Sequence, residues 1–82
     1  MFTVWSRVHP LGHNRFLCIV AAFPEPPSEA PSGTDAETTV ATTREQADRY
    51  CEQVMSAMAA RIWARGDAVI FEVAKDQDSA ER

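Results

Sequence analysis

Long apolar runs are scarce in this 82-residue sequence. The longest covers residues 16–23, well short of the roughly 18 residues that a membrane-spanning helix needs. The first residues also lack the basic region, apolar stretch and small-residue cleavage site of a secretory signal. We therefore expect a cytoplasmic protein that does not cross a membrane.

Glycine and cysteine are also few, which argues against a phosphate-binding loop and a structural zinc site. The three glycines stand apart at Gly12, Gly33 and Gly66, so no glycine-rich loop is present to hold a phosphate. The two cysteines, Cys18 and Cys51, do not have the paired Cys-x-x-Cys spacing of structural zinc sites. Both lie in apolar segments, so we interpret them as buried free thiols, although a disulfide between them stays open. We expect no cofactor and no bound metal.

Basic residues are outnumbered, with 8 Lys and Arg against 12 Asp and Glu and a formal net charge of -4. A general nucleic-acid binder needs a clustered basic face that displaces counterions from the phosphates, and the sequence shows no such cluster. Direct nucleic-acid binding is therefore kept only as an alternative. It would use arginines spread along the chain: Arg7, Arg15, Arg44 and Arg49.

The apolar pattern predicts two strands joined as a hairpin. Residues 2–9 alternate between apolar and polar types, and residues 16–23 are apolar on both faces. Pro10 is expected to end the first strand, and residues 11–15 have the composition of a turn. The segment 24–42 is acidic and proline-rich, with too few apolar side chains to offset the entropy of ordering it, so we predict a loop.

A helix is predicted over residues 43–65. Thr42 and Glu45 fit a capping box at its start, and Gly66 is suited to end it. A last strand follows over residues 67–75, and residues 76–82 form a polar tail. Helical spacing places the following side chains on the face toward the core: Ala47, Tyr50, Cys51, Val54, Met58 and Ile62.

These elements predict one α+β domain over residues 1–82, a two-layer β-β-α-β unit. In it, one helix packs on one face of a three-stranded sheet. The last strand is expected to run parallel to the second and antiparallel to the first, and the strand order stays open.

A single helix cannot cover both faces of a sheet whose second strand is apolar on both sides. With His9 opposite Phe16, we predict that the uncovered face contains Trp5, Arg7, Phe16 and Val20, together with Ile70 of the last strand. A contiguous apolar patch of this kind is typical of an interface. A change of register by one residue would exchange some of these side chains and still leave the second strand apolar on both sides.

The outward side of the helix is a second candidate surface. Small residues next to a tryptophan allow a partner to approach closely, and the tryptophan supplies an anchor. The alternative is that Trp63 folds over the helix end against the loop or the hairpin. The residues of this surface are Asp48, Glu52, Ser56, Ala59, Ala60 and Trp63. We expect a second chain to cover one of the two surfaces, most simply in a homodimer.

No catalytic motif is visible. His9 and His13 are the only histidines, and with Arg7 they suggest an alternative function as a small enzyme or ligand-binding subunit with a site at the hairpin end. A Cys–His nucleophile pair would need an exposed, activated thiolate, which two buried cysteines do not offer. We therefore predict a protein that is not an enzyme.

In size, acidity and lack of a catalytic motif, the chain resembles the small acidic inhibitors carried by phages and mobile elements, the anti-CRISPR proteins among them. The resemblance implies a non-catalytic protein-binding module that inhibits a larger complex by steric block or acidic mimicry. Its protein partner could be a nucleic-acid-binding complex whose basic groove the carboxylates occupy. The candidate carboxylates are Glu25, Glu29, Asp35, Glu37, Asp48 and Glu52.

Overall fold

A mixed four-stranded sheet and one helix make up the fold of the computed structural model, which describes residues 1–25 and 35–74. The helix packs on one face of the sheet, whose strand order is β3-β2-β1-β4. The predicted α+β class, with one helix on one face, is confirmed, but the sheet has four strands rather than three. The elements are β1 (Phe2–Gly12), β2 (Arg15–Pro24), β3 (Asp35–Ala41), α1 (Arg44–Ala64) and β4 (Val69–Val73).

The β1–β2 hairpin is longer than predicted, because β1 continues through Pro10 to Gly12. His13 and Asn14 then take positive φ angles of 55° and 59°. Two central residues with positive φ are typical of a type I′ turn, whose twist matches that of the flanking strands.

Pro10 does not end β1, and the hydrogen-bond pattern shows why. The Phe2 N–H donates to the Ala68 carbonyl, and the Ser6 carbonyl accepts from the Ala74 N–H, both at 2.9 Å. Even-numbered residues of β1 thus direct their backbone groups toward β4. Pro10 has its missing N–H on that same side, beyond the last β1–β4 pair at Ser6, so it removes no bond of the β1–β2 ladder.

The strand β3 lies within the segment that was predicted to be a loop, and this is a correction. It pairs antiparallel with β2, from Phe16↔Ala41 to Ala22↔Asp35. The Thr-Thr-Val composition of its second half suits a strand, and pairing with the apolar β2 supplies the rest of its stability. Residues 26–34 of the predicted loop and the predicted tail lie outside the described residues.

The additional strand also changes the direction of β4. Because β3 reverses the chain once more before α1, β4 runs parallel to β1. The prediction that the last strand runs parallel to β2 was therefore wrong. β4 lies beside β1, at the opposite edge of the sheet from β3.

The N-terminus of α1 is capped one residue later than predicted. The Thr43 hydroxyl accepts a hydrogen bond from the Gln46 N–H at 3.0 Å. The Gln46 amide oxygen in turn accepts from the N–H and the hydroxyl of Thr42, at 3.3 and 2.9 Å. The capping pair is therefore Thr43 and Gln46 rather than Thr42 and Glu45.

The helix α1 ends at Ala64, one residue before the predicted end, and Gly66 has the positive φ of 90° expected of the residue that stops it. The Gly66 N–H donates to the Trp63 carbonyl at 2.9 Å, and the Asp67 N–H donates to the Ile62 carbonyl at 3.3 Å. These two bonds form a Schellman motif, which satisfies carbonyls that the helix leaves unpaired. Among the described residues, no helix has the length and apolar content to cross a membrane.

The core lies between α1 and the strands β1 and β2. Val4, Cys18 and Val20 of the sheet are fully buried, and Met58 of the helix is 1% exposed. The predicted stripe is mostly right, although Tyr50 and Val54 lie at its margin. The buried helix residues are Ala47, Cys51, Met55, Met58, Ala59 and Ile62.

Candidate protein-binding surface

The strand registers decide which side chains lie on the face of the sheet opposite α1, which we call the open face. Trp5 pairs with Ala21 and Arg7 with Ile19, one residue away from the predicted register. The hairpin turns at His13 and Asn14, with Gly12 opposite Arg15, and the register then shifts by one residue between Pro10 and Gly12. The local sequence pattern does not reveal this shift. A shift by one residue exchanges the two faces of β2.

Two residues predicted to lie on the open face are therefore on the helix side. Val20 is fully buried in the core, and Phe16 packs against it. Their assignment to the uncovered face was wrong. Trp5 and Arg7 stay on the open face, where both side chains are half-buried.

The open face is predominantly apolar. Val40 and Ile70 are 50% and 46% exposed. No helix or strand of residues 1–25 and 35–74 lies over it. The sheet thus has the uncovered apolar face that the sequence led us to expect, with different members. Its large apolar side chains are Trp5, Leu17, Ile19, Phe23, Val40 and Ile70.

Two oppositely charged side chains interrupt this apolar surface. Arg7 lies on β1, and its Nε atom is buried without a hydrogen-bond partner. Glu72 lies on β4, directly beside Trp5 in the β1–β4 register, and is exposed. At one end of the face, the Glu25 carboxylate accepts a hydrogen bond from the Thr3 hydroxyl at 3.1 Å.

The second candidate surface, on the helix, is smaller than predicted. Ala59 is fully buried, so its placement on the outward side was wrong. Ser56 and Ala60 are exposed, and Trp63 is 53% exposed. The Trp63 ring contacts Phe71 of β4.

A cleft of about 340 Å³ lies between the N-terminal half of α1 and the β1–β4 side of the sheet. Asp48 and Glu52, both predicted to bind a partner, line this cleft. Arg44 lies beside them, with its Nε 3.5 Å from the Asp48 carboxylate. Because both side chains are more than half exposed, this pair contributes little to stability. The other lining residues are Ser6, Val8, Cys51, Met55, Val73 and Ala74.

Cys18 and Cys51 are free and buried, as the sequence indicated. Burial raises the pKa of Cys51 to about 11, and it raises the pKa of Cys18 as well. Both thiols are therefore neutral at physiological pH, unlike the thiolates of reactive cysteines.

Of the residues of the alternative hairpin-end site, Arg7 and His9 share the open face of β1. His9 lies on the open face opposite Leu17, while His13 lies in the turn. Within residues 1–25 and 35–74, no group of three His, Cys, Asp or Glu side chains could hold a metal ion. Arg44 and Arg49 lie near acidic neighbours on α1, at 3.5 and 3.9 Å, and form no basic patch.

Glu72 and the apolar residues Leu17, Ile19 and Phe23 were not predicted from the sequence to belong to the open face. The signal for the apolar ones was present, since β2 is apolar on both sides, but the register decides which side is uncovered. A comparison of the chain with protein-family models, curated proteins and solved structures found no match.

Proposed function

We propose that this chain is a non-catalytic protein-binding module that binds another polypeptide through the open face. The observation that carries the proposal is the apolar character of a face that no described element covers. Soluble monomers rarely expose a contiguous apolar patch of this kind unless it takes part in binding.

The dimensions of the open face suit a specific interface. With strands about 4.8 Å apart and a rise of about 3.3 Å per residue, the four strands present roughly 500 Å² of flat area. Covering that area on both partners removes about 1,000 Å² or more from water, which is the lower range of specific protein interfaces. A flat sheet face is also suited to packing against a second sheet.

We propose further that this binding inhibits the partner by steric block, which is better supported than acidic mimicry. Asp35 accepts from Arg61 at 3.0 Å, and Glu37 accepts from the Tyr50 hydroxyl at 3.3 Å. These carboxylates are therefore already engaged with α1. Glu29 lies outside the described residues. The proposed compartment remains the cytoplasm, where buried free thiols such as Cys18 and Cys51 stay reduced.

The proposal is tested with one charged substitution on each side of the sheet. Ile19→Asp places a carboxylate on the open face, and Val73→Asp places one on the helix side of β4, where Val73 is 65% exposed. We expect Ile19→Asp to weaken binding to a purified polypeptide partner by about a hundredfold, because a desolvated charge opposes association. Val73→Asp should bind as the wild-type protein does.

The measurement is the dissociation constant of the purified complex, with circular dichroism to verify that each variant is folded. If folded Ile19→Asp keeps the wild-type affinity for every partner that the wild-type protein binds, the open face is not the binding surface. Binding that weakens steeply with added salt would support the acidic version instead of the steric one.

A further inference from the structure

The open face has one guanidinium and one carboxylate that the described part of the chain leaves without partners. The Arg7 Nε is buried and donates no hydrogen bond, and neither the Arg7 nor the Glu72 side chain forms an ion pair among the described residues. A buried guanidinium nitrogen without a partner is costly, so the arrangement favours an occupant that brings an acceptor. The same occupant should bring a cation for Glu72.

The positions of the two charges are related through Trp5. Glu72 is the direct neighbour of Trp5 across β1 and β4, and Arg7 lies two residues farther along β1 on the same face. Arg7 and Glu72 are therefore diagonal neighbours, with Cα atoms roughly 7–8 Å apart. Trp5 lies beside both of them.

A second copy of the chain satisfies both charges at once. In a two-fold dimer, every contact between the two chains occurs twice, with the roles of the chains exchanged. An Arg7 that meets the Glu72 of the partner copy therefore implies a second, identical pair. The two-fold axis then passes between Arg7 and Glu72, which places Trp5 of each copy next to it.

The other polar groups on the open face do not offer the same match. The Glu25 carboxylate is already hydrogen-bonded to Thr3. His9 is on the exposed outer half of β1, opposite Leu17. Arg15 is exposed at the start of β2, at the hairpin end of the sheet. Arg7 and Glu72 are thus the neighbouring pair of opposite charges on this face among the described residues.

We infer that the open face binds a second copy of this chain in a two-fold dimer, with two Arg7–Glu72 ion pairs across the apolar interface. This inference rests on the proposed function of the open face and names its partner. The apolar side chains supply the burial, and the two ion pairs fix the register of the two sheets.

The test uses charge reversals in separate chains. Arg7→Glu and Glu72→Arg should each become monomeric, with the dimer dissociation constant raised about a hundredfold, because each homodimer then has two like-charge contacts. Mixing the two variants should restore a dimer, because both contacts in the mixed dimer again join opposite charges. Sedimentation equilibrium gives the masses.

Matched controls come from α1, which lies on the other side of the sheet. Arg49→Glu and Glu45→Arg make the same changes in charge on exposed helix positions and should leave the dimer unchanged. A mixture of Arg7→Glu and Glu72→Arg that stays monomeric would exclude the ion pairs. A wild-type protein that is monomeric at all concentrations would overturn the inference, while the Ile19→Asp and Val73→Asp comparison with another purified partner still tests the proposed function.

Disulfide trapping provides a second measurement if a charge-reversed chain fails to fold. Arg7→Cys mixed with Glu72→Cys should give a covalent dimer on mild oxidation, since Cys18 and Cys51 are buried. Arg49→Cys mixed with Glu45→Cys is the control. Equal cross-linking in both mixtures would contradict the proposed contact.

Discussion

The Trp63 indole meets the Phe71 ring edge to face, with ring centroids 6.0 Å apart and ring planes inclined at 73°. Trp63 belongs to the last turn of α1 and Phe71 to β4. Both side chains are about half exposed, at 53% and 50%. The contact joins the last turn of α1 to the edge strand β4.

This aromatic contact should be measurable as a coupling energy. We expect a double-mutant cycle with Trp63→Ala and Phe71→Ala to give a coupling of about 0.5–1 kcal/mol, as for other edge-to-face pairs. Urea unfolding followed by circular dichroism supplies the four free energies of unfolding. Additive effects of the two substitutions would show that the rings do not stabilise each other.

The helix cap predicts a difference between two neighbouring positions. Thr43→Ala removes the hydroxyl that accepts the Gln46 N–H, and should lower the free energy of unfolding by about 1 kcal/mol. Glu45→Ala removes only an exposed ion pair with Arg49 at 3.9 Å and should change stability by less than about 0.5 kcal/mol. A larger effect at Glu45 would contradict the cap assignment.

Gly66 is the position at which a side chain should be costly through the backbone alone. Its φ is +90°, and a Cβ atom added at this residue would meet no other atom within 4 Å. Gly66→Ala should therefore destabilise the protein by about 1 kcal/mol through strain and not through a clash. Gly66→Asn should cost less, because asparagine tolerates a left-handed conformation better. The unfolding temperatures of the two variants show which substitution destabilises the protein more.

Stability should fall in alkaline solution because of the buried thiols. Burial raises the pKa of Cys51 from 9.0 to about 11 in the folded chain. The unfolded chain therefore releases this proton first, and the contribution to stability that is present below pH 9 is lost as the pH rises toward 11. Burial also raises the pKa of Cys18 and Tyr50, which adds to the same trend.

Urea unfolding at several pH values between about 8 and 11 tests this linkage. Cys51→Ala should show a shallower loss of stability than the wild-type protein, with the remaining slope due to Cys18 and Tyr50. An identical slope in the two proteins would mean that Cys51 is not the group responsible.

The helix and its stop were predictable because their signals are local. The spacing of the apolar residues of α1 identifies its buried face, and a glycine after the last turn marks its end. The predicted cap was one residue too early because Thr42 and Thr43 are each followed, three residues later, by a side chain that suits a capping box. In such a case the backbone geometry, and not the sequence, decides between Thr42 and Thr43.

The register and β3 were not predictable in the same way. Because β2 is apolar on both sides, its hydrophobic pattern does not favour one register over the next. The bulge after Pro10 decides the register, and no local signal marks it. β3 depends on pairing with β2 for its stability, and its acidic first half resembles a loop. Missing β3 also reversed the expected direction of β4, and with it the position of Glu72 beside Trp5.

Pro10 lies on the edge of β1 that faces β4, beyond the last residue pair of the two strands. This position affects how the sheet could pair with other molecules. A neighbouring strand that continued the line of β4 past Ala74 would need a donor from β1 at residue 10, and would meet a pyrrolidine ring instead. Fibril-like growth, in which sheets from successive molecules join side by side, is thereby obstructed at this margin. This margin therefore does not suit edge-to-edge pairing, in contrast with the broad surface around Trp5, through which we propose that two molecules bind.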